Sequence, residues 1–84
     1  MYKVYAIYSK KFNKIYIGQT IDLEKRILDH NSGLSGYTKK FIPWETVYVE
    51  EYSTRTEVLQ REKQLKTQKG REFIWKLIQD RESI

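Results

Sequence analysis

Position 62 is an unfavourable place for a carboxylate. Val58, Glu62 and Leu65 fall at i, i+4 and i+7, so an acid lies in the apolar stripe a helix would turn towards the protein interior. Such a group needs a partner. A divalent cation would make Glu62 a metal ligand, whereas Lys66, one turn further on, would make it half of an ion pair, the commoner outcome on helices. Arg26 and His30 are also four residues apart, so one helical face would carry both. Arginine offers a planar fork of donors to phosphate oxygens, and a neutral imidazole can accept a proton from a water or a phenol. The plainer alternative pairs Arg26 with Asp22 or Asp29 and leaves His30 half-buried. Tyr5 and Tyr16, taken singly, are common strand residues whose rings pack. Gly18 would let another group approach the backbone, though a bulge would explain it equally well.

These side chains come from distant parts of the sequence, so the elements that carry them must converge. Tyr2 to Tyr8 and Lys14 to Gly18 are rich in Tyr, Val and Ile around the polar loop Ser9 to Asn13, which predicts a β-hairpin. Pairing Tyr8 with Asn13 sets Tyr5 opposite Tyr16, with both rings on one face of the sheet. Thr20 or Asp22 can cap a helix running to about Asn31, with Leu23, Ile27 and Leu34 at helical spacing, and Asn31-Ser32-Gly33 stops it. Residues 33 to 43 read as a loop with a basic, aromatic tip. Trp44 to Tyr52 has strand composition. Thr54 and Glu57 form a capping box that opens a helix to about Gln68, and Gly70 is expected to break it. Phe73, Ile74, Leu77 and Ile78 mark a last amphipathic helix. The order ββαβαα predicts an α+β domain over 1–84 with a small three-stranded, largely antiparallel sheet flanked by helices.

Composition narrows the chemistry. The 84 residues contain no cysteine, which excludes disulfide staples, thiolate-bound zinc and iron–sulfur clusters. A single histidine cannot supply paired imidazoles, no Asp or Glu is followed two residues later by Lys, and no glycine-rich phosphate loop is present. No apolar run is long enough to span a membrane, and a cytoplasmic protein is expected. The net charge is +5, and residues 1–44 carry the whole surplus, with eight basic side chains against three acidic ones. That asymmetry points towards a polyanionic partner.

Lys3-Val4-Tyr5 followed by Tyr16-Ile17-Gly18, then Arg26, His30 and Glu62 within Arg61-Glu62-Lys63-Gln64-Leu65-Lys66, resembles the GIY-YIG endonuclease family over nearly the whole chain. Tyr16-Ile17-Gly18-Gln19-Thr20, His30-Asn31-Ser32-Gly33, Tyr37-Thr38-Lys39-Lys40 and Pro43-Trp44 are similar to its small stand-alone branch. Ala6-Ile7-Tyr8 spells the first motif better, but it leaves eight residues to Tyr16 where the family pattern has about eleven; the match belongs on Tyr5. Lys3 and Val4 replace the motif's glycine and isoleucine, and an asparagine that larger relatives carry after the metal-binding helix is missing.

The resemblance implies hydrolysis of DNA phosphodiesters with one Mg²⁺ or Mn²⁺ ion held by Glu62. It also implies that Tyr5 or Tyr16 positions or activates the attacking water, that His30 relays a proton, and that Arg26 stabilises charge on the phosphate. Lys10, Lys11, Lys14, Lys39 and Lys40 would contact backbone phosphates, and Tyr37 would stack on a base or sugar. A separate targeting protein would supply specificity, in repair, recombination or mobile-element processing. Two alternatives stand beside this reading: a nucleic-acid-binding module without catalysis, and a structural or interaction domain.

Overall fold

Alternation along β1 (Tyr2–Ser9) divides its side chains between two separate cores. The computed structural model describes residues 1–82. After β1 come β2 (Lys14–Thr20), α1 (Leu23–Asn31), a 3-10 turn (Thr38–Phe41), β3 (Glu45–Tyr52), α2 (Arg55–Leu65) and α3 (Gln68–Glu82). The sheet order is β2-β1-β3 with both pairings antiparallel, so the fold is the expected α+β arrangement in ββαβαα order. β1 is central and covered on both faces, which is why Val4 to Ser9 are all buried. Val4, Ala6 and Tyr8 join Ile15 and Ile17 of β2 under Val58 and Leu65 of α2 and Ile74 and Ile78 of α3. Tyr5 and Ile7 point the other way, towards Trp44 and the partly buried Leu23 and Ile27 of α1. Leu65 and Ile74 are essentially unexposed, and each contributes about 2 kcal/mol through burial.

The hairpin register differs from the expected one. Ser9 pairs with Lys14, so the loop is Lys10 to Asn13, Tyr5 faces Gly18, and Tyr16 faces Ile7. Asn13 closes the loop at φ 56, a left-handed conformation that asparagine adopts more readily than most residues. The displacement is by two residues, and because strand side chains alternate, both tyrosines still share a face.

Asp22 caps α1 by accepting from the Lys25 N–H at 3.2 Å, while the Thr20 hydroxyl accepts from the Asp22 N–H at 3.1 Å. The helix ends at Asn31, and Leu34 lies beyond it, exposed and outside the apolar stripe. The segment read as loop contains the 3-10 turn, whose Thr38 is buried. Trp44 precedes β3 rather than starting it. Its backbone N–H and C=O bond the Asn31 side chain at 2.7 and 3.0 Å, and its indole donates to the Thr38 carbonyl at 2.8 Å.

Thr54 caps α2, accepting from the Glu57 N–H at 3.2 Å and donating its hydroxyl to the Glu57 carboxylate at 2.9 Å. α2 stops at Leu65, earlier than expected, and Gly70 sits inside α3 instead of breaking a helix. A Cβ at Gly70 would collide with the Gln64 carbonyl and the Leu65 backbone, so glycine lets α3 close tightly onto the end of α2. Among the described residues, no helix is long and apolar enough to cross a membrane.

Candidate active site

Tyr5, on the central strand, reaches under α1. Its hydroxyl lies 2.8 Å from His30 Nε2, and His30 Nδ1 lies 2.8 Å from the Thr38 hydroxyl. Neither Tyr5 nor His30 is exposed, at 1% and 0%. The imidazole therefore links β1 to the 3-10 turn through both ring nitrogens. The Tyr16 ring packs against the same imidazole at a centroid distance of 5.1 Å and, unlike Tyr5, is partly open to solvent.

Gly18 makes this arrangement possible. A Cβ there would sit 2.6 Å from the Tyr5 hydroxyl oxygen and 3.1 Å from Tyr16 Cε2, so only a bare backbone leaves room for both phenols. Arg26, one turn before His30 on α1, reaches the hydroxyls of Tyr5 and Tyr16. Among the described residues Arg26 has no ion pair with either acid: Asp29 is bridged by Lys25 at 3.2 Å, and Asp22 is engaged as the helix cap. Tyr5, Tyr16, Arg26 and His30 thus lie around one imidazole, the two pairs that spacing placed separately on a sheet face and on a helix face.

Glu62 approaches from α2. Its carboxylate is 3.1 Å from Lys66 Nζ, with the glutamate side chain 19% exposed and the lysine 51%. It also influences Tyr5, though more weakly than Arg26 or Tyr16 do. The ion pair and an electrostatic influence on the Tyr5 phenol therefore coexist.

Electrostatics sorts these groups by role. Burial pushes the Tyr5 phenol up to about 12; Arg26 pulls against that, and Tyr16 and Glu62 add to it. Burial, then the positive charge of Arg26, pushes His30 down to about 4, with Asp29 opposing. At neutral pH, Tyr5 keeps its proton and His30 is a neutral imidazole, one ring nitrogen donating and the other accepting. Neither is a free base facing solvent. The side chains that combine contact with this cluster and access to solvent are Tyr16 and Arg26.

Two contributions had little or no signal in the sequence. Thr38 completes the hydrogen-bonded chain behind His30 from a segment read as loop. Glu50 on β3 accepts from Arg61 Nε at 2.8 Å and Nη2 at 3.2 Å, from Tyr52 at 2.8 Å, and from Tyr48. This fork fixes the azimuth of α2 next to Glu62. No local pattern links Glu50 to Arg61, which lie on different elements.

Around the cluster, Tyr37 stacks on Tyr16 at 6.3 Å, Lys39 and Lys40 are exposed on the 3-10 turn, Lys11 lies within the hairpin loop and Lys14 opens β2 just after it. Lys10 lines one hollow with Lys11, Pro43 and Trp44 and another with Tyr8, Glu45 and Arg81. Among the described residues, no three His, Asp or Glu side chains gather as a metal cluster. The Glu62 carboxylate is a hard oxygen donor, which fits a cation that keeps most of its waters, such as Mg²⁺ or Mn²⁺, and does not fit zinc.

Residues 1–77 match the GIY-YIG catalytic domain. A UPF0213 protein of Staphylococcus epidermidis is 38% identical over 77 residues, covering 88% of this chain and 93% of its own. Another, from Staphylococcus saprophyticus, is 43% identical over 58 residues, covering 68% and 71%. A UPF0213 protein of Bacillus subtilis is 43% identical over 53 residues, covering 62% and 54%. No solved structure gives a significant match.

Proposed function

Since the chain belongs to the GIY-YIG family, a nuclease-type fold, we propose that its single domain is a metal-dependent endonuclease hydrolysing DNA phosphodiesters. The observation that carries this reading is the convergence of Tyr5, Tyr16, Arg26 and His30, with Tyr5 held to His30 at 2.8 Å. Tyr16 is the phenol that can meet an attacking water. Its oxygen orients that water, and the adjacent guanidinium of Arg26 stabilises negative charge building on the phosphate. Tyr5 and neutral His30 hold Tyr16 and Arg26 in register and accommodate shifts of a proton along their hydrogen bonds.

Glu62 would hold Mg²⁺ or Mn²⁺, which when bound supplies a Lewis acid to the scissile phosphate. The bond from Glu62 to Lys66 does not stand in the way. A half-exposed i, i+4 pair is worth at most about 1 kcal/mol, far less than a divalent cation gains from a carboxylate and a phosphate together. That same pair is the one observation favouring the rival reading, a nucleic-acid-binding module without catalysis.

Incubating single-stranded, duplex and branched DNA with Mg²⁺ or Mn²⁺ separates the two, with Glu62→Ala and Arg26→Ala alongside. Wild type is expected to cut, and Glu62→Ala to bind without cutting. Cleavage that survives in Glu62→Ala would remove the metal assignment. Binding without cleavage under every metal would leave the binding module.

A further inference from the structure

A row of aromatic rings leads away from Tyr16 along the surface. Tyr37 stacks on Tyr16 at 6.3 Å and 30°, Phe41 meets Tyr37 at 5.3 Å, and Phe12 at the tip of the hairpin meets Phe41 at 5.6 Å. Phe41 is also the anchor, because its other edge meets the buried Trp44 at 6.4 Å. The outer members are open: Tyr37 is 54% exposed and Phe12 41%. Rings that merely filled a core would not be left so far in water, nor would they form a continuous line ending on a residue of the candidate site.

Cations accompany the row. Lys11 Nζ lies 5.5 Å from the Phe12 centroid and Lys14 Nζ 5.6 Å from that of Phe41, while Lys39 and Lys40 are exposed on the turn that carries Phe41. The segments that build the row, Lys10 to Tyr16 and Tyr37 to Phe41, contain no acidic residue. Ammonium groups held over one side of Phe12 and Phe41 would meet backbone phosphates while the open ring surfaces of the row take flat, apolar groups.

In a duplex the faces of the bases are already stacked on one another, and a protein meets only edges and phosphates. Exposed rings find partners in bases that are unpaired. We infer that the Tyr16–Tyr37–Phe41–Phe12 row is a stacking track for unpaired nucleotides, so the substrate of this site is single-stranded DNA or a single-stranded arm leading into it. The inference rests on the nuclease reading for its substrate and on the rings themselves for its binding.

The test measures binding in EDTA, where cleavage plays no part. The probes are a short fluorescent oligothymidylate, a blunt duplex of equal length, and a single strand carrying 2-aminopurine. Wild type is expected to bind the single strand more tightly than the duplex and to quench 2-aminopurine. Phe12→Ala and Tyr37→Ala each weaken single-strand binding about ten-fold and lower the preference over duplex, Phe12→Trp restores it, and Leu28→Ala, outside the row, has no effect. Circular dichroism checks that each variant is folded.

Single-strand affinity unchanged in both alanine variants, a wild-type preference for duplex, or equal losses on both DNAs would each overturn the track. A parallel cleavage assay in Mn²⁺ keeps the two readings apart. Cleavage by a protein whose single-strand affinity ignores Phe12 and Tyr37 sinks the track and keeps the nuclease. Ring-dependent binding with no cleavage of any DNA sinks the nuclease and keeps the track.

Discussion

The Tyr5 hydroxyl and His30 Nε2 lie 2.8 Å apart with both residues closed off from solvent. One belongs to the central strand and the other to the last turn of α1, so a single hydrogen bond joins the sheet to the helix that carries Arg26.

The burial of His30, with the positive charge of Arg26 nearby, makes stability depend on pH in a defined window. The folded protein keeps His30 neutral down to about 4, while an unperturbed histidine protonates near 6.5. Between those values the unfolded chain binds the extra proton, so the contribution is present above about pH 6.5 and is lost as the pH falls towards 4. The loss should reach about 3 kcal/mol. Urea denaturation at several pH values, compared with His30→Gln, checks it; an equal slope in the variant would assign the loss to other groups.

The two phenols should separate on mutation. Tyr16→Phe is expected to lower the cleavage rate about 100-fold or more with little change in stability, because that ring is partly exposed. Tyr5→Phe leaves buried His30 Nε2 without its partner and should cost about 1–3 kcal/mol of stability. Thermal melts beside single-turnover cleavage rates read both effects.

Adding one methyl group at Gly18 should damage the site from within. The new Cβ would fall 2.6 Å from the Tyr5 hydroxyl oxygen and 2.8 Å from Tyr5 Cζ, so Gly18→Ala forces the phenol off His30. Overpacking of this kind costs about 1–3 kcal/mol. NMR of the His30 ring protons should show the broken contact.

The Glu50–Arg61 fork should act on Glu62 through the pitch of α2. Arg61→Ala is expected to destabilise by about 2 kcal/mol, less than a fully buried pair, since both side chains keep some exposure. It should also weaken Mn²⁺ activation, whereas Lys66→Ala should strengthen it a few-fold by releasing the Glu62 carboxylate. Metal titrations of the cleavage rate distinguish the two variants.

Much of this site was legible because its residues obey short periods. Helical spacing put Arg26 beside His30, and strand alternation kept Tyr5 and Tyr16 on one face even though the register was displaced by two residues. The displacement itself depended on which residue would accept a left-handed conformation, and Asn13 did so at the end of the loop. Gly70 was misread because a glycine that ends a helix and one that lets two helices touch look alike along the chain. Thr38 and the Glu50–Arg61 fork depend on contacts between distant segments, which local patterns do not encode.

Because β1 serves both cores, its reading frame is a single point of failure. A residue inserted between Val4 and Tyr5 would turn the phenol towards α2 and α3 and leave the inserted side chain under His30, exchanging the mechanical side of the molecule for the reactive one. The hairpin tip does not set the phase of β1; what holds it in place is the Phe12 contact with Phe41.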